Sequence, residues 1–590
     1  MHALKNSIHL RKNKNLEAIF WLLFLILNLL LFVPQYLIEA DTSHFIPYQF
    51  VHESGWYYKI KYLFNRDNFD IFRLSFDFII LLLLIRIFKN RIRNTNNISA
   101  FLFILYMIWL IHQIYYSAFY HIYLVNPLLF NDWSLIKTGF QIFFHDHLWM
   151  TVLILLGFIA ISVILYFLFQ HLIRFLVAFK ASLITYILSS LIFLVTGYSL
   201  FRYGLDHKPE YTLQFTSKLF VSNIMGSVKY KRLADNLSME NVDMLKYLDK
   251  QTLHKKPPVF VIFIESYGRI LYDIDSLEKK YKKILAHKES LLHDHQWHAT
   301  TILSRSPVQG GSSWISYSNV IYGFNFKNSG VYNYLLNHES FYRFRHLLNI
   351  LQNKGYKNYR LSSIYPHENM PIPWDKYTRF YAVDEWIKYN DLDYSGKLYG
   401  FGPAPPDQYA LNYAHEYIRE QQQDDPFTLF MITQNSHNPF YSPTEIAEDW
   451  KNLKDDKGLH RQKSVFMRKP ELHDYMNAIE YQLDFLIDFI VKYNGNAVFL
   501  LAGDHQPPEL ETGGKPETPM HIISKDSSFI ASFSDYGFQQ GLACNNDTAN
   551  FKHEGFYSMF IREFIAAYGK ADTIPAFHPD GFDVFGGSNL

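Results

Sequence analysis

Residues 496–509 read NAVFLLAGDHQPPE, an apolar run that stops on Asp504 and His505 with Pro507 and Pro508 just behind. A short run of this kind, rich in branched and aromatic side chains and bounded by prolines, predicts a strand buried on both faces. Outward from it the pattern repeats: VFVIFIES (259–266), YKNYRLSSIY (356–365) and FTLFMITQNS (427–436) are further strands. Between them, FYRFRHLLNILQNKG (341–355) predicts a helix closed by Gly355, and DQYALNYAHEYIREQQQ (407–423) and ELHDYMNAIEYQLDFLIDFIVKYNG (471–495) predict amphipathic helices. Strands alternating with helices define an α/β domain with a mostly parallel sheet covered on both faces.

In such sheets ligands gather beyond the carboxyl ends of the strands. Reading each strand to that end gives Glu265, His437, and Asp504 with His505. Two carboxylates and an imidazole can hold a divalent ion such as zinc, manganese or magnesium, with a position left open for chemistry. SRSPVQGGSSWISYSNVIYGF (304–324) supplies the reacting group: Gly310 and Gly311 let the backbone approach a ligand, and Ser312 and Ser313 open a helix. A hydroxyl at a helix N-terminus beside a metal is placed to attack an anionic phosphorus centre.

The rest of the chain is of another kind. In the first 200 residues the apolar side chains come in five blocks, at about 17–38, 72–88, 98–120, 148–169 and 181–201, each near the ~20 residues that cross a bilayer. The first block lacks a small-residue cleavage site and is read as a retained helix. Lys5, Arg11, Lys12 and Lys14 precede the first block, Arg86, Lys89, Arg91 and Arg93 surround the gap after the second, and Arg174 and Lys180 lie in the fourth gap. Those ends face the cytoplasm, so five crossings put everything after Phe201 outside. The expected division is a five-helix membrane domain at 1–201, a juxtamembrane connector at 202–257 and an extracytoplasmic α/β domain at 258–590. The formal net charge of +1 gives no electrostatic case for nucleic acid, and a single cysteine, Cys544, excludes a disulfide framework and a thiolate zinc cluster. A transporter would need ionisable groups within the crossings; Asp77 and His112 are the main candidates, and neither has an obvious partner.

VFVIFIESYG, GGSSWISYSNVIYG, TQNSHNPF, and LLAGDHQPP followed by TPMHIISKD resemble, in order and approximate spacing, the motifs of the alkaline phosphatase and sulfatase superfamily. Residues from about 257 to 530 look like the extracytoplasmic domain of a lipoteichoic acid synthase type phosphoglycerol transferase, whose layout is also five helices ahead of an outward catalytic domain. The resemblance implies that Glu265, Asp504 and His505, with Ser313, bind one divalent ion, manganese ahead of zinc or magnesium. It implies that the nucleophile is Ser312 or Ser313, and the spacing to Gly323 favours Ser313. His437 stands where the family has a substrate-binding histidine. PHENMPIPWDKY (366–377) resembles the head-group segment and nominates Trp374 and Lys376, although the arginine usual there is missing or displaced. His521 either approaches the site from the last strand or is a core histidine.

What the resemblance implies for function is a transferase in a bacterial cytoplasmic (inner) membrane, with its N-terminus cytoplasmic and its catalytic domain periplasmic or otherwise extracytoplasmic. It takes a phosphoglycerol-type head group from a phospholipid and passes it, through a phosphoserine, to a glycan or polymer hydroxyl. The alternatives on the same fold are a phosphoethanolamine transferase, a phosphodiesterase or sulfatase-like hydrolase, and a non-catalytic lipid or glycan sensor. Ser313-Trp314-Ile315-Ser316-Tyr317 lacks the proline and arginine of the formylglycine signature, which argues against sulfate ester hydrolysis. The single cysteine and the serine nucleophile depart from phosphoethanolamine transferases, which typically carry several disulfides and a threonine.

Overall fold

The structure, a computed structural model, describes residues 2–38, 45–46, 55–64, 70–123, 126–146, 148–204, 213–235, 245–326, 329–365, 374–400, 403–422, 425–455, 471–508, 510, 514–544, 550–570 and 574–582. The chain forms two compact units, one comprising 1–121, 125–129 and 139–229, the other 122–124, 130–138 and 230–590.

In the first unit helices stand at all five apolar blocks: α1 (His2–Leu30), α2 (Phe76–Ile87), α3 (Thr95–Tyr123), α4 (Leu148–Ala178) and α5 (Leu183–Tyr203). Three stretches, Thr95–His121, Leu148–Ala178 and Leu183–Arg202, are long and apolar enough to cross a membrane, and the apolar part of α1 is the shorter Asn15–Leu30. Of the five helices, α2 has 12 residues and rises about 18 Å, shorter than the ~30 Å hydrocarbon core. Ser75 sets its start by accepting a bond from the Phe78 amide at 3.3 Å. Phe24, Leu27, Phe78, Tyr106, Phe169 and Leu172 pack together at the centre of these helices. Asp77 has a partner after all. Its carboxylate accepts from Thr216 Oγ1 at 2.9 Å and the Ser217 amide at 3.0 Å, capping the helix Thr216–Asp235. The His112 ring lies against Tyr115, Tyr116 and Phe220.

The second unit is built on an eight-stranded sheet. Its strands are β1 (Val259–Ile264), β2 (His298–Arg305), β3 (Lys357–Ser362), β4 (Glu385–Lys388), β5 (Phe427–Ile432), β6 (Val498–Gly503), β7 (Glu517–Ser524) and β8 (Gln539–Gln540). The spatial order is β8-β2-β7-β6-β1-β5-β3-β4. From β6 to β4 every pairing is parallel, whereas β7 runs antiparallel to β6 and β2, and β8 antiparallel to β2. All six side chains of β1 are buried because both faces are covered. Val259, Val261 and Phe263 enter one core with α7 (Ser313–Tyr322) and α10 (His553–Tyr568). Phe260, Ile262 and Ile264 enter the other with α6 (Asp275–Asp294), α8 (Asp407–Gln422) and α9 (Leu472–Lys492).

The helix expected over 341–355 is shorter, Leu347–Asn353, preceded by a 3-10 turn at Glu339–Arg343. Phe341 and Phe344 leave the helical face to join Tyr322, with ring centroids 5.1 and 6.1 Å away. Burying three aromatic rings outweighs the local propensity for one more turn. Gly355, at φ 89°, closes the segment as its sequence suggests.

Candidate active site

β1 and β6 are adjacent and parallel, with Ile264 opposite Gly503. The residues that follow them, Glu265 on one side and Asp504-His505 on the other, therefore leave the sheet side by side. Their ligand atoms lie within 4.8 Å of one another, and all three residues are buried. His505 Nδ1 donates to the Gln506 carbonyl at 2.8 Å, which sets the tautomer and turns Nε2 inward. There Nε2 is 3.5 Å from Glu265 Oε1 and 3.4 Å from Asp504 Oδ2.

The Asp504 carboxylate divides its work. Oδ1 accepts from the Ser266 and His505 amides, both at 2.8 Å. Oδ2 is buried with no hydrogen-bond partner among the described residues, a state that costs free energy unless a cation or proton meets it. Burial and the neighbouring Glu265 push the Asp504 carboxyl up to about 8. Burial acts on Glu265 in the same direction, but His505 and His437 outweigh it and hold Glu265 low. His505 is raised because Asp504 and Glu265 together overcome its desolvation. Two carboxylates, one imidazole nitrogen and an orphaned oxygen facing them form a donor set that fits one divalent ion.

Ser313 reaches this cluster. Its hydroxyl donates to Glu265 Oε2 at 3.2 Å and lies 3.1 Å from His505 Nε2. The chain turns into α7 through Gly311 and Ser312, at φ 64° and 57°, and Ser313 is the first helical residue, at the positive end of the helix dipole. One turn later Ser316 Oγ donates to the Asp504 carbonyl at 2.6 Å, and Ser306 Oγ donates to the same oxygen at 2.7 Å. Those two bonds tie the serine helix to the end of β6. Ser312 has left-handed backbone and its side chain makes no capping bond.

His437 sits half-buried on the loop after β5, and its Nδ1 donates to the Asn438 carbonyl at 2.8 Å. It is close enough to help hold the Glu265 carboxyl low. The same loop is tied to the cluster by the Glu265 amide donating to Thr433 Oγ1 at 3.1 Å and by Ser436 Oγ donating to the Glu265 carbonyl at 2.7 Å.

The other nominated residues have these partners. His521 is a core residue: it bonds Thr301 Oγ1 at 2.7 Å and the Tyr267 hydroxyl at 3.0 Å, and burial pushes it down to about 3. Lys376 pairs with Asn337 Oδ1. Trp374 meets Trp386 edge-on at 4.7 Å and Lys388 Nζ at 4.5 Å. Sequence reasoning passed over Arg360 on β3. Its guanidinium lies 4.0 Å from the Phe430 ring, 4.8 Å from Tyr381, 5.2 Å from Trp386 and 5.5 Å from Tyr317, a residue of the serine helix. Its Nη1 is buried with no hydrogen-bond partner among the described residues. A charged residue inside the strand YKNYRLSSIY was the available signal.

Fold and cluster together define a chain with helices long and apolar enough to cross a membrane and a second unit that is an α/β domain carrying a buried Glu-Asp-His cluster beside a helix-opening serine. The Sulfatase family model matches residues 298–529, a span that holds Ser313, His437, Asp504 and His505. The integral membrane lipooligosaccharide phosphoethanolamine transferase A (EptA) of Neisseria meningitidis is 14% identical, with 90% of this chain and 94% of that one covered and a TM-score of 0.39. The lipoteichoic acid synthase LtaP of Listeria monocytogenes is 13% identical over 59% of this chain and 81% of its own, at a TM-score of 0.36. The phosphoglycerol transferase GacH of Streptococcus pyogenes, in complex with sn-glycerol-1-phosphate, is 12% identical over 55% and 82%, at 0.33. No curated protein matches the chain.

Proposed function

We propose that the chain is a metal-dependent transferase that moves a phosphoglycerol-type head group from a membrane phospholipid to a glycan or polymer hydroxyl. One observation carries this reading: Ser313 Oγ lies 3.2 Å from Glu265 and 3.1 Å from His505, at the edge of a buried donor set with an orphaned oxygen. A divalent ion held by Glu265, Asp504 and His505, manganese in the first instance, would lower the pKa of the Ser313 hydroxyl and offset charge on the phosphoryl oxygens.

The residues divide the remaining work. Ser313 Oγ, its proton first given up to solvent, attacks phosphorus in line; the P–O bond to diacylglycerol breaks, and His437 gives a proton to the leaving oxygen. A phosphodiester on Ser313 results. An acceptor hydroxyl then attacks the same phosphorus, His437 takes its proton, and Ser313 is released. The dipole of α7 favours anionic oxygens at its opening. The apolar helices keep the donor's acyl chains and the site in one membrane, which replaces a search through solution by proximity. The sulfatase-like hydrolase differs only in taking water as acceptor.

The test uses the full chain in micelles with manganese and either labelled phosphatidylglycerol or labelled phosphatidylethanolamine. Diacylglycerol release from phosphatidylglycerol, dependent on Ser313, supports the reading. Release from phosphatidylethanolamine alone replaces the head group, and release from neither overturns the reading.

A further inference from the structure

Asp407 opens α8 and is fully buried, yet no Lys, Arg or His pairs with it among the described residues. Its acceptors are filled by neutral donors. The Gln434 amide lies 3.0 Å from both carboxylate oxygens, and Oδ2 also accepts from the Asn435 amide at 2.8 Å and from Gln482 Nε2 at 2.9 Å. The grip is reciprocal: the Asp407 amide donates to Asn435 Oδ1 at 2.6 Å, and Asn435 Nδ2 donates to the Pro405 carbonyl at 3.1 Å.

The segment gripped in this way, 433–436, leads directly to His437, whose own amide donates to the Gln434 carbonyl at 3.2 Å. On its other side the segment is tied to Glu265 through Thr433 and Ser436. Asp407 thus holds one side of a short strap whose other side is the Glu265 backbone, with His437 next along it. A carboxylate here is held against its own desolvation, which pushes it up to about 6, so its charge is sustained by the donors it collects.

We infer that Asp407 is a positioning residue for head-group transfer: by gathering the Gln434 and Asn435 amides it sets where the His437 imidazole stands relative to the Glu265–Asp504–His505 cluster. This rests on the role given to His437 above. Asp407 touches no reacting atom.

Asp407→Ala tests it, because it removes every acceptor that the Gln434 and Asn435 amides and Gln482 Nε2 reach, whereas Asp407→Asn is the conservative variant: an amide oxygen at the Oδ2 position keeps all three donors. The full chain in micelles is followed by kcat and KM for phosphatidylglycerol, by the pH profile of kcat, by metal content and by hydrogen exchange of the peptide spanning 433–441. Expected for Asp407→Ala are a kcat lower by about 10- to 100-fold, a KM changed much less, a shifted pH profile, unchanged metal content and faster exchange in 433–441. Asp407→Asn should keep most of both exchange protection and kcat. Unchanged protection in Asp407→Ala overturns the inference, and so does lost protection with wild-type kcat and pH profile, or lost kcat with protection intact in Asp407→Asn. Wild-type protein that turns over neither lipid overturns instead the transferase reading on which the inference rests, an outcome separate from any variant.

Discussion

Asp504→Asn separates the two halves of one side chain. Oδ1 carries the structural half, two 2.8 Å bonds from the Ser266 and His505 amides, and an asparagine carbonyl keeps both. Oδ2, buried and without a hydrogen-bond partner among the described residues, becomes an NH2 group. With ligand atoms at most 4.8 Å apart, ionised Glu265 and Asp504 would repel by about 3.5 kcal/mol at an effective dielectric near 20. The ion-free fold answers by keeping Asp504 protonated up to about 8. Replacing it with a neutral amide therefore leaves the ion-free fold as stable or slightly more so. The loss falls on ion binding. Manganese at about 100 times its Kd stabilises the wild type by about 2.7 kcal/mol, a rise in Tm of about 5 °C for a unit of this size. The assay is thermal unfolding of the full chain in micelles, stripped with chelator and titrated with manganese. Asp504→Asn should start at or above the wild-type Tm and show no resolvable rise. An equal rise in both proteins, or a variant already unfolded without the ion, would refute this division of labour.

Further outcomes follow from the same contacts. Burial and the neighbouring Glu265 push the Asp504 carboxyl well above the ordinary carboxylate range, so in the acidic to neutral range an incoming ion must displace a proton. Manganese affinity measured by calorimetry should rise about tenfold per pH unit between roughly pH 6 and 8, and more steeply if His505, also raised, gives up its proton; a flat profile contradicts the assignment. Gly323→Ala places a Cβ at φ +68° and 2.7 Å from Tyr557 Cδ1, so chemical denaturation should show a loss of about 2 kcal/mol or more. Ser312→Gly relieves left-handed backbone at φ 57° where the side chain caps nothing, and transfer activity should persist with unchanged or slightly higher stability. His521→Ala should lower stability by about 1–3 kcal/mol and leave metal content intact, because its partners are Thr301 and Tyr267.

The strand ends were legible because an apolar run that stops on a charged residue is a local pattern, and Glu265, His437, Asp504 and His505 all carry it. Their meeting is not local. It depends on β6 pairing with β1 rather than with a strand nearer in sequence, and only the parallel, crossover-linked architecture makes that pairing foreseeable. Asp407 was invisible for the same reason, since it reads as an ordinary first-turn acid of α8 until the loop after β5 folds onto it. The bonds from Ser306 and Ser316 to the Asp504 carbonyl involve short polar side chains that are common near turns and caps. Lys376 was nominated by its position in a motif, and its bond to Asn337 is a long-range contact that no local pattern announces. The five apolar blocks were legible as helices, whereas the start of α2 was not, because Ser75 caps it within a block that reads as continuous.

The proposed chemistry requires one serine to be armed by the ion bound beside it. Full-length protein incubated with phosphatidylglycerol and manganese, then digested and weighed by mass spectrometry, tests this directly. The expected result is a glycerophosphoryl adduct on Ser313 that vanishes with chelator, with Ser313→Ala and with Asp504→Asn, and survives Ser312→Gly. An adduct on another residue, or one that forms equally well without the ion, would contradict it.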